Sequence, residues 1–255
     1  VFLSKFNDFE ATFEHRFARG FYMLTSYTFS KLISNTDSEL GAGTGAQDQY
    51  NRRLDKVVSS DDRPHILSIA YVYDLPFGRG KAFLSEMPAV ANFVLGNWKI
   101  SGIHRYTSGG AMGIGSGQNL FGAGRARASL APGAGTTIPL VNPEWNSDPA
   151  VAWTVPYLNR AAFRRPNNME YGNTPPRIAQ LRGPKTISED LAIMKNFRLK
   201  NEKQFFEFRA SAFNVPNRHL LPGPDTNMDS ANFGKIVNAQ GNSARQIQLG
   251  LKFYF

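Results

Sequence analysis

Residues 244–255 read ARQIQLGLKFYF. Side chains alternate across a β-strand, so Ile247, Leu249, Leu251, Phe253 and Phe255 share one face, and Gln246, Gln248, Gly250, Lys252 and Tyr254 share the other. One face is apolar and the other polar. A soluble sheet hides such a face against a core, but this apolar series runs to an aromatic at the last residue, with no polar tail to shield it. A strand ending this way suits a membrane interface, where aromatic residues gather.

Working back from this strand, the two-residue period returns six times, predicting seven long strands in all. Phe205–Phe213 sets Phe206, Phe208, Ala210 and Ala212 against Glu207, Arg209 and Ser211. Ile187–Leu199 sets Leu191, Ile193, Phe197 and Leu199 against Asp190, Asn196 and Arg198. Asn97–Thr107 opposes Trp98, Ile100, Gly102, His104 and Tyr106 to Lys99, Ser101, Arg105 and Thr107, with an extension toward Ile114. Pro64–Leu75 opposes His65, Leu67, Ile69, Tyr71, Tyr73 and Leu75 to Ser68, Ala70 and Asp74. Phe21–Lys31 carries Phe21, Met23, Thr25, Tyr27 and Phe29 on one face; Asp8–Ala18 carries Phe9, Ala11, Phe13, His15 and Phe17 against Glu10, Thr12, Glu14 and Arg16.

The connections then run short, long, medium, long, short, long. Arg19-Gly20 and Asn201–Lys203 read as tight turns, and Pro76–Gly96 as a linker with a short helix over Pro88–Leu95. Leu32–Asp62, Ser116–Lys185 and Asn214–Asn242 read as long surface loops, the last with a small strand at Phe233–Val237. Short turns therefore fall at one end of the sheet and long loops at the other. Outer-membrane barrels show that asymmetry, with short periplasmic turns and long extracellular loops; a soluble sandwich has no reason to. Seven strands is an odd number, and single-chain bacterial barrels begin at about eight. Residues 1–255 are thus expected to be a C-terminal segment of one all-β, antiparallel transmembrane barrel domain. The start at Val1, without a Met or a signal sequence, agrees with a fragment.

No run of eighteen apolar residues marks a transmembrane helix, which a barrel of alternating strands would also lack. Without cysteine there is no disulfide framework and no thiolate site. A net charge of +9 raises nucleic-acid binding as a class, but the cations are scattered. Their largest local excess lies between Ser116 and Lys185, where Arg125, Arg127, Arg160, Arg164, Arg165, Arg177, Arg182 and Lys185 outnumber Glu144, Asp148 and Glu170. A solvated basic loop surface able to meet anionic lipopolysaccharide or an anionic ligand is the reading, and no nucleic-acid partner is expected.

The motifs for chemistry are weak. His15, His65, His104 and His219 form no H-E-x-x-H pair, so no metal is expected, and His15 and His104 are placed near an interfacial girdle or a neighbouring strand. Asp225–Asp229 copies the start of a calcium loop, yet Ser230 replaces the turn glycine and Ile236 the bidentate Glu, leaving an Asx-rich turn. Gly41, Gly43, Gly45, then Gly113, Gly115, Gly117, and the run Phe77–Lys81 lack a phosphate-cradle ending and read as flexible loop. No G-x-S-x-G elbow is present; neither an enzyme nor a cofactor is expected. Glu10, Glu14, Arg16, Lys99, Arg105, Glu207, Arg209 and Lys252, opposite the aromatic stripe, would line a watery lumen, or pair across strands to hold the wall together.

The segments DRPHILSIAYVYDLPFGRGK, GNWKISGIHRYTSG, LRGPKTISEDLAIMKNFRL, FRASAFNVPNRHLLPGPD, NFGKI and RQIQLGLKFYF together resemble the C-terminal barrel of TonB-dependent outer-membrane receptors, in particular the Oar-like group with a carboxypeptidase-regulatory-like N-terminal domain. The alternation of Ile247, Leu249, Leu251, Phe253 and Phe255 resembles the C-terminal signal read by the barrel-assembly machinery. The resemblance implies an energy-coupled importer in the bacterial outer membrane: a barrel of about 22 strands around a plug, with a TonB box that contacts the inner-membrane motor. Plug and box lie outside this sequence, so TonB would be met through an absent N-terminal region. Further partners are outer-membrane lipid, lipopolysaccharide and a transported ligand of unknown identity, recognised by the long loops. Two rivals stay open: a passive porin or structural barrel, and a soluble β-sandwich module binding carbohydrate through Trp145 or Trp153.

Overall fold

The computed structural model describes residues 4–18, 20–35, 47–48, 50–117, 126–198 and 204–255. Strands β1 (Ser4–Ala18) and β2 (Phe21–Ser34) form a hairpin, followed by the two-residue β3 (Val57–Val58), β4 (His65–Asp74), helix α1 (Ala89–Leu95) and β5 (Trp98–Thr107). Next come the short elements β6 (Ala111–Met112), β7 (Ser129–Leu130), α2 (Pro149–Ala152), β8 (Phe163–Arg164) and β9 (Ile178–Arg182). Three long strands complete the chain: β10 (Thr186–Arg198), β11 (Phe205–Phe213) and β12 (Gln246–Tyr254).

The seven long strands make one sheet in the order β1-β2-β4-β5-β10-β11-β12, every neighbour antiparallel, with β3 on the end of β2. The other two sheets, β6-β9 and β7-β8, have two strands each, so the two packed sheets of a sandwich do not form among the described residues.

Most predicted boundaries fall within a few residues of those observed, and the departures have local causes. The β1–β2 ladder runs past the alternating stretch, because backbone pairing continues through Asn7↔Lys31 and Lys5↔Ile33 although the side chains turn polar. Strand β5 stops at Thr107 instead of continuing to Ile114; the chain leaves the sheet at Ser108–Gly110, and β6 pairs with β9. Phe233–Val237 is no strand, since Gly234 takes a left-handed φ of 81° that breaks extension there. Arg19, Asn201–Lys203, Leu199, Arg125 and Gly41, Gly43 and Gly45 lie outside the described residues.

Register carries the two faces across the sheet. The row His15, Met23, Tyr71, Gly102, Leu191, Ala212, Ile247 is directly paired from edge to edge, so every second residue from it shares the apolar face. Aromatics gather at both ends of that face. Phe9, Phe29, His65, Tyr27 and Tyr106 mark the long-loop end; Phe21, Tyr73, Trp98, Phe197, Phe206 and Phe253 mark the short-turn end. Gly102 leaves room between them for a stack of Tyr71 on His104, because a Cβ there would lie 2.6 Å from the Tyr71 ring.

The hydrophobic core lies outside this sheet. Ile114, Leu140, Leu158, Phe163, Ile178, Leu181, Leu221, Phe233 and Ile236 form one buried cluster drawn from the connections β5–β10 and β11–β12. The β2–β4 connection joins them: the Gln47 side chain bridges Gly172 O and Arg127 N, Asp55 pairs with the buried Arg127, and Asp62, 1% exposed, pairs with Arg182 at 2.8 Å. The described residues of the three predicted surface loops therefore form one folded cap. Gly113 belongs to its packing and not to a flexible loop, as a Cβ there would lie 1.7 Å from Pro176 O. Leu158→Ala is expected to cost the cap about 2–5 kcal/mol. Limited proteolysis of the membrane-inserted protein checks this, with faster cleavage within residues 126–185 and the long strands still protected.

Candidate functional site

Two regions can carry chemistry, the polar face of the sheet and the cap. On the polar face, register brings together seven of the eight charged candidates: Glu10, Glu14, Lys99, Arg105, Glu207, Arg209 and Lys252. Arg16 sits where the β1–β2 register shifts between His15 and Ala18, and it donates to Glu14 at 3.2 Å. Lys99 pairs across strands with Asp74 at 3.3 Å, Glu207 lies directly opposite Lys252, and Arg209 donates to Ser211 Oγ at 3.0 Å. A shallow cleft of about 270 Å³ runs between Glu207, Arg209, Gln248 and Lys252. The face is not uniformly polar: Ile103 and Phe6 stand exposed on it, and Phe205 stacks on Tyr254 with ring centres 4.4 Å apart. The C-terminal series Ile247, Leu249, Leu251 and Phe253 lies exposed along the apolar side of edge strand β12, with Phe255 beyond it.

The histidines of the apolar face all meet aromatic neighbours. His15 lies against Phe21, His65 accepts or donates to the Tyr27 hydroxyl at 2.8 Å, and His104 stacks on Tyr71. Asp225–Asp229 is an Asx-rich turn, in which Asp225 Oδ1 accepts from Asn227 N and Asn227 Oδ1 from Asp229 N.

The cap holds a cleft of about 760 Å³ that the sequence pattern did not reveal. Trp145, Tyr157, Ile187 and Leu221 give it apolar walls; Arg182, Lys185 and Arg218 bring cations. Local rules place these groups. Asp148 caps α2 through Ala150 N at 2.8 Å with Pro149 in the first turn, setting the chain that carries Trp145 edge-on against Tyr157, ring centres 4.6 Å apart. The Tyr157 hydroxyl donates to Arg182 O, and burial pushes its phenol up from the ordinary value. Asn214 takes a left-handed φ of 51° and holds Arg218 O with its side-chain amide, while Arg218 Nε donates to Glu189 at 2.9 Å. A second groove, of about 420 Å³ between Tyr27, His65, Leu67 and Tyr106, shares Ser108, Lys185 and Ile187 with the cleft. The cleft thus opens toward the long-loop margin of the apolar face. Apolar walls beside cations suit an anionic amphiphile.

A family model for an outer membrane beta barrel domain matches residues 2–248. The chain belongs to that family. Comparison with curated proteins and with solved structures gave no match. As an outer membrane beta barrel domain, the protein is a component of the bacterial outer membrane, and its single antiparallel sheet agrees with that. In this barrel domain sequence reasoning missed Lys195, which the register puts on the apolar face, only 2% exposed, and whose ammonium contacts backbone carbonyls. Its position on an otherwise apolar series was the available signal.

One tie in the cap is pH-dependent. Arg164 at 2.8 Å, followed by the Asn167 N–H at 2.9 Å, holds the Glu170 carboxyl below the usual carboxylate range. A carboxylate with a lowered folded pKa contributes stability above its unfolded value, near about 4.3, and loses it as pH falls through the folded value. A carbon-13 titration of the Glu170 carboxyl should give a midpoint below that of ordinary glutamates, restored upward by Arg164→Gln. An unshifted midpoint in the unsubstituted protein would contradict the tie.

Proposed function

We propose that this chain is part of the barrel of a TonB-dependent receptor of the Oar-like group, capturing a ligand at the outer surface for energy-coupled uptake. The observation that carries the reading is the cap: the β5–β10 and β11–β12 connections share a hydrophobic core, and ion pairs join the β2–β4 connection to them, so recognition surfaces are preformed. On this reading the apolar face with its two aromatic bands meets lipid, and the polar face lines the lumen through Glu10, Glu14, Arg16, Lys99, Arg105, Glu207, Arg209 and Lys252. Short turns are periplasmic and the cap extracellular. On this reading further barrel strands pair the free sides of β1 and β12, and the plug and the TonB contact belong to other parts of the receptor. Ile247, Leu249, Leu251, Phe253 and Phe255 are what the assembly machinery reads.

The cap cleft opens toward the apolar face, so on this reading part of it lies at the outer leaflet. Lipopolysaccharide is the anionic amphiphile present there, and Lys185 and Arg218 would meet its phosphates. The transported ligand is then recognised by the lumen side of the cap.

A passive or structural barrel is the second reading, favoured by the Lys99–Asp74 pair, which serves the wall as well as a lumen. The experiment separating the two is uptake by cells carrying the whole natural protein, scored for radiolabelled solutes too large for porins, with and without a functional TonB motor. Accumulation that requires the motor supports the receptor. Uptake that is unchanged without it, or ion conductance of the purified protein in planar bilayers, would point to the passive barrel. Replacing Lys185 and Arg218 by Glu should lower the lipopolysaccharide retained on purification while leaving motor-dependent uptake in place.

A further inference from the structure

The connection Pro76–Gly96 lies at the short-turn end of the sheet, between β4 and β5. Its helix α1, with sequence AVANFVL, has no buried residue of its own. Phe83, Leu84, Val90, Phe93, Val94 and Leu95 are all more than half exposed, Val90 reaching 79%. So much exposed apolar surface on one short connection marks an interaction site.

The helix is nevertheless held firmly, and on one particular face of the sheet. The Phe93 ring packs on Phe197 of β10, centres 5.1 Å apart, and Trp98 Nε1 donates to Val94 O at 3.0 Å. Lys195, also on β10, donates to Val94 O at 2.9 Å and to Gly96 O. Its ammonium stands 4.9 Å from the Trp98 ring centre and 5.2 Å from that of Phe197. Phe197, Trp98 and Lys195 all belong to the apolar face. The last carbonyls of a helix have no partner within it and carry partial negative charge. A lysine on an apolar wall has the complementary problem, an ammonium without water. Each solves the other's deficit, and the aromatic rings complete the shell around the charge.

We propose that α1 with the Phe83–Leu84 turn is an interfacial anchor embedded in the leaflet on the short-turn side, its partner being phospholipid acyl chains, with Lys195 as the pin that holds it there. The choice of lipid over a protein partner rests on continuity: α1 prolongs the aromatic band of Trp98, Phe197, Phe206 and Phe253, on the face read above as lipid-facing. Short amphipathic segments lie in the interface in this manner, with cations toward the headgroups. Arg79 and Lys81, with Glu86, sit on the same connection.

These 255 residues hold no cysteine, so once any cysteine elsewhere in the natural protein is replaced by serine, single spin labels can be placed at Val90→Cys and Leu251→Cys in the whole protein, reconstituted in phosphatidylethanolamine–phosphatidylglycerol vesicles. Relaxation by oxygen, which concentrates in acyl chains, is compared with relaxation by a water-soluble nickel chelate. The proposal expects oxygen to dominate at both sites, with the label at Val90 nearer the headgroups than the label at Leu251. Oxygen at Leu251 with nickel at Val90 overturns the anchor and leaves the lipid-facing wall intact; nickel at both overturns the wall and the anchor with it. A Val90 label shielded from both reagents means a protein or second-copy partner, and the lipid proposal falls. Adding Lys195→Met should raise the mobility of the Val90 label; a spectrum that does not change would remove the pin.

Discussion

A strand in hydrocarbon has no water to satisfy its N–H and C=O groups, so each must be paired by a neighbouring strand, and each side chain must then face either lipid or the opposite side. That constraint governs the long sheet. It explains why a register unbroken from β2 to β12 matters more than any one contact, since a slip of one residue would move every apolar side chain to the other face.

Apolar burial is distributed accordingly. The wall keeps Leu249, Leu251 and Ile247 exposed, because their partner is not part of the chain. Water-facing segments must bury their own apolar groups, and the cap does so around Leu158, Phe163, Leu181 and Phe233. Ion pairs such as Asp55–Arg127 and Asp62–Arg182 tie the β2–β4 connection to β5–β10, and the shared core ties β5–β10 to β11–β12. In the receptor proposed above, loops that are already folded lose less conformational entropy on binding.

What could be read from the sequence follows the same division. Strands were legible because a lipid-facing wall imposes a period of two on Phe206, Phe208 and Ala210, or on Ile247, Leu249 and Leu251, and α1 was legible as an apolar run between Pro88 and Gly96. The family assignment to an outer-membrane barrel bears out the all-β barrel reading. The cap was not legible. Its core residues come one at a time from separate connections, Ile114 meeting Leu158 and Phe233 with no repeat to mark them, and glycines such as Gly113 look flexible in sequence while serving close backbone contact. Nor did the alternation disclose that Lys195, on an apolar series, is matched by the carbonyls of α1, or that Trp145 and Tyr157 face a cleft with Arg218.

The central claim is that the two faces of this sheet meet different media, lipid and water. Single cysteines along β11, at Phe206, Glu207, Phe208, Arg209, Ala210 and Ser211, challenged with a charged, membrane-impermeant maleimide added to both sides of vesicles bearing the whole protein, test it most directly. The account predicts labelling that alternates, with Glu207, Arg209 and Ser211 reactive and Phe206, Phe208 and Ala210 protected. Uniform labelling along the strand, or an alternation of the opposite phase, would contradict it.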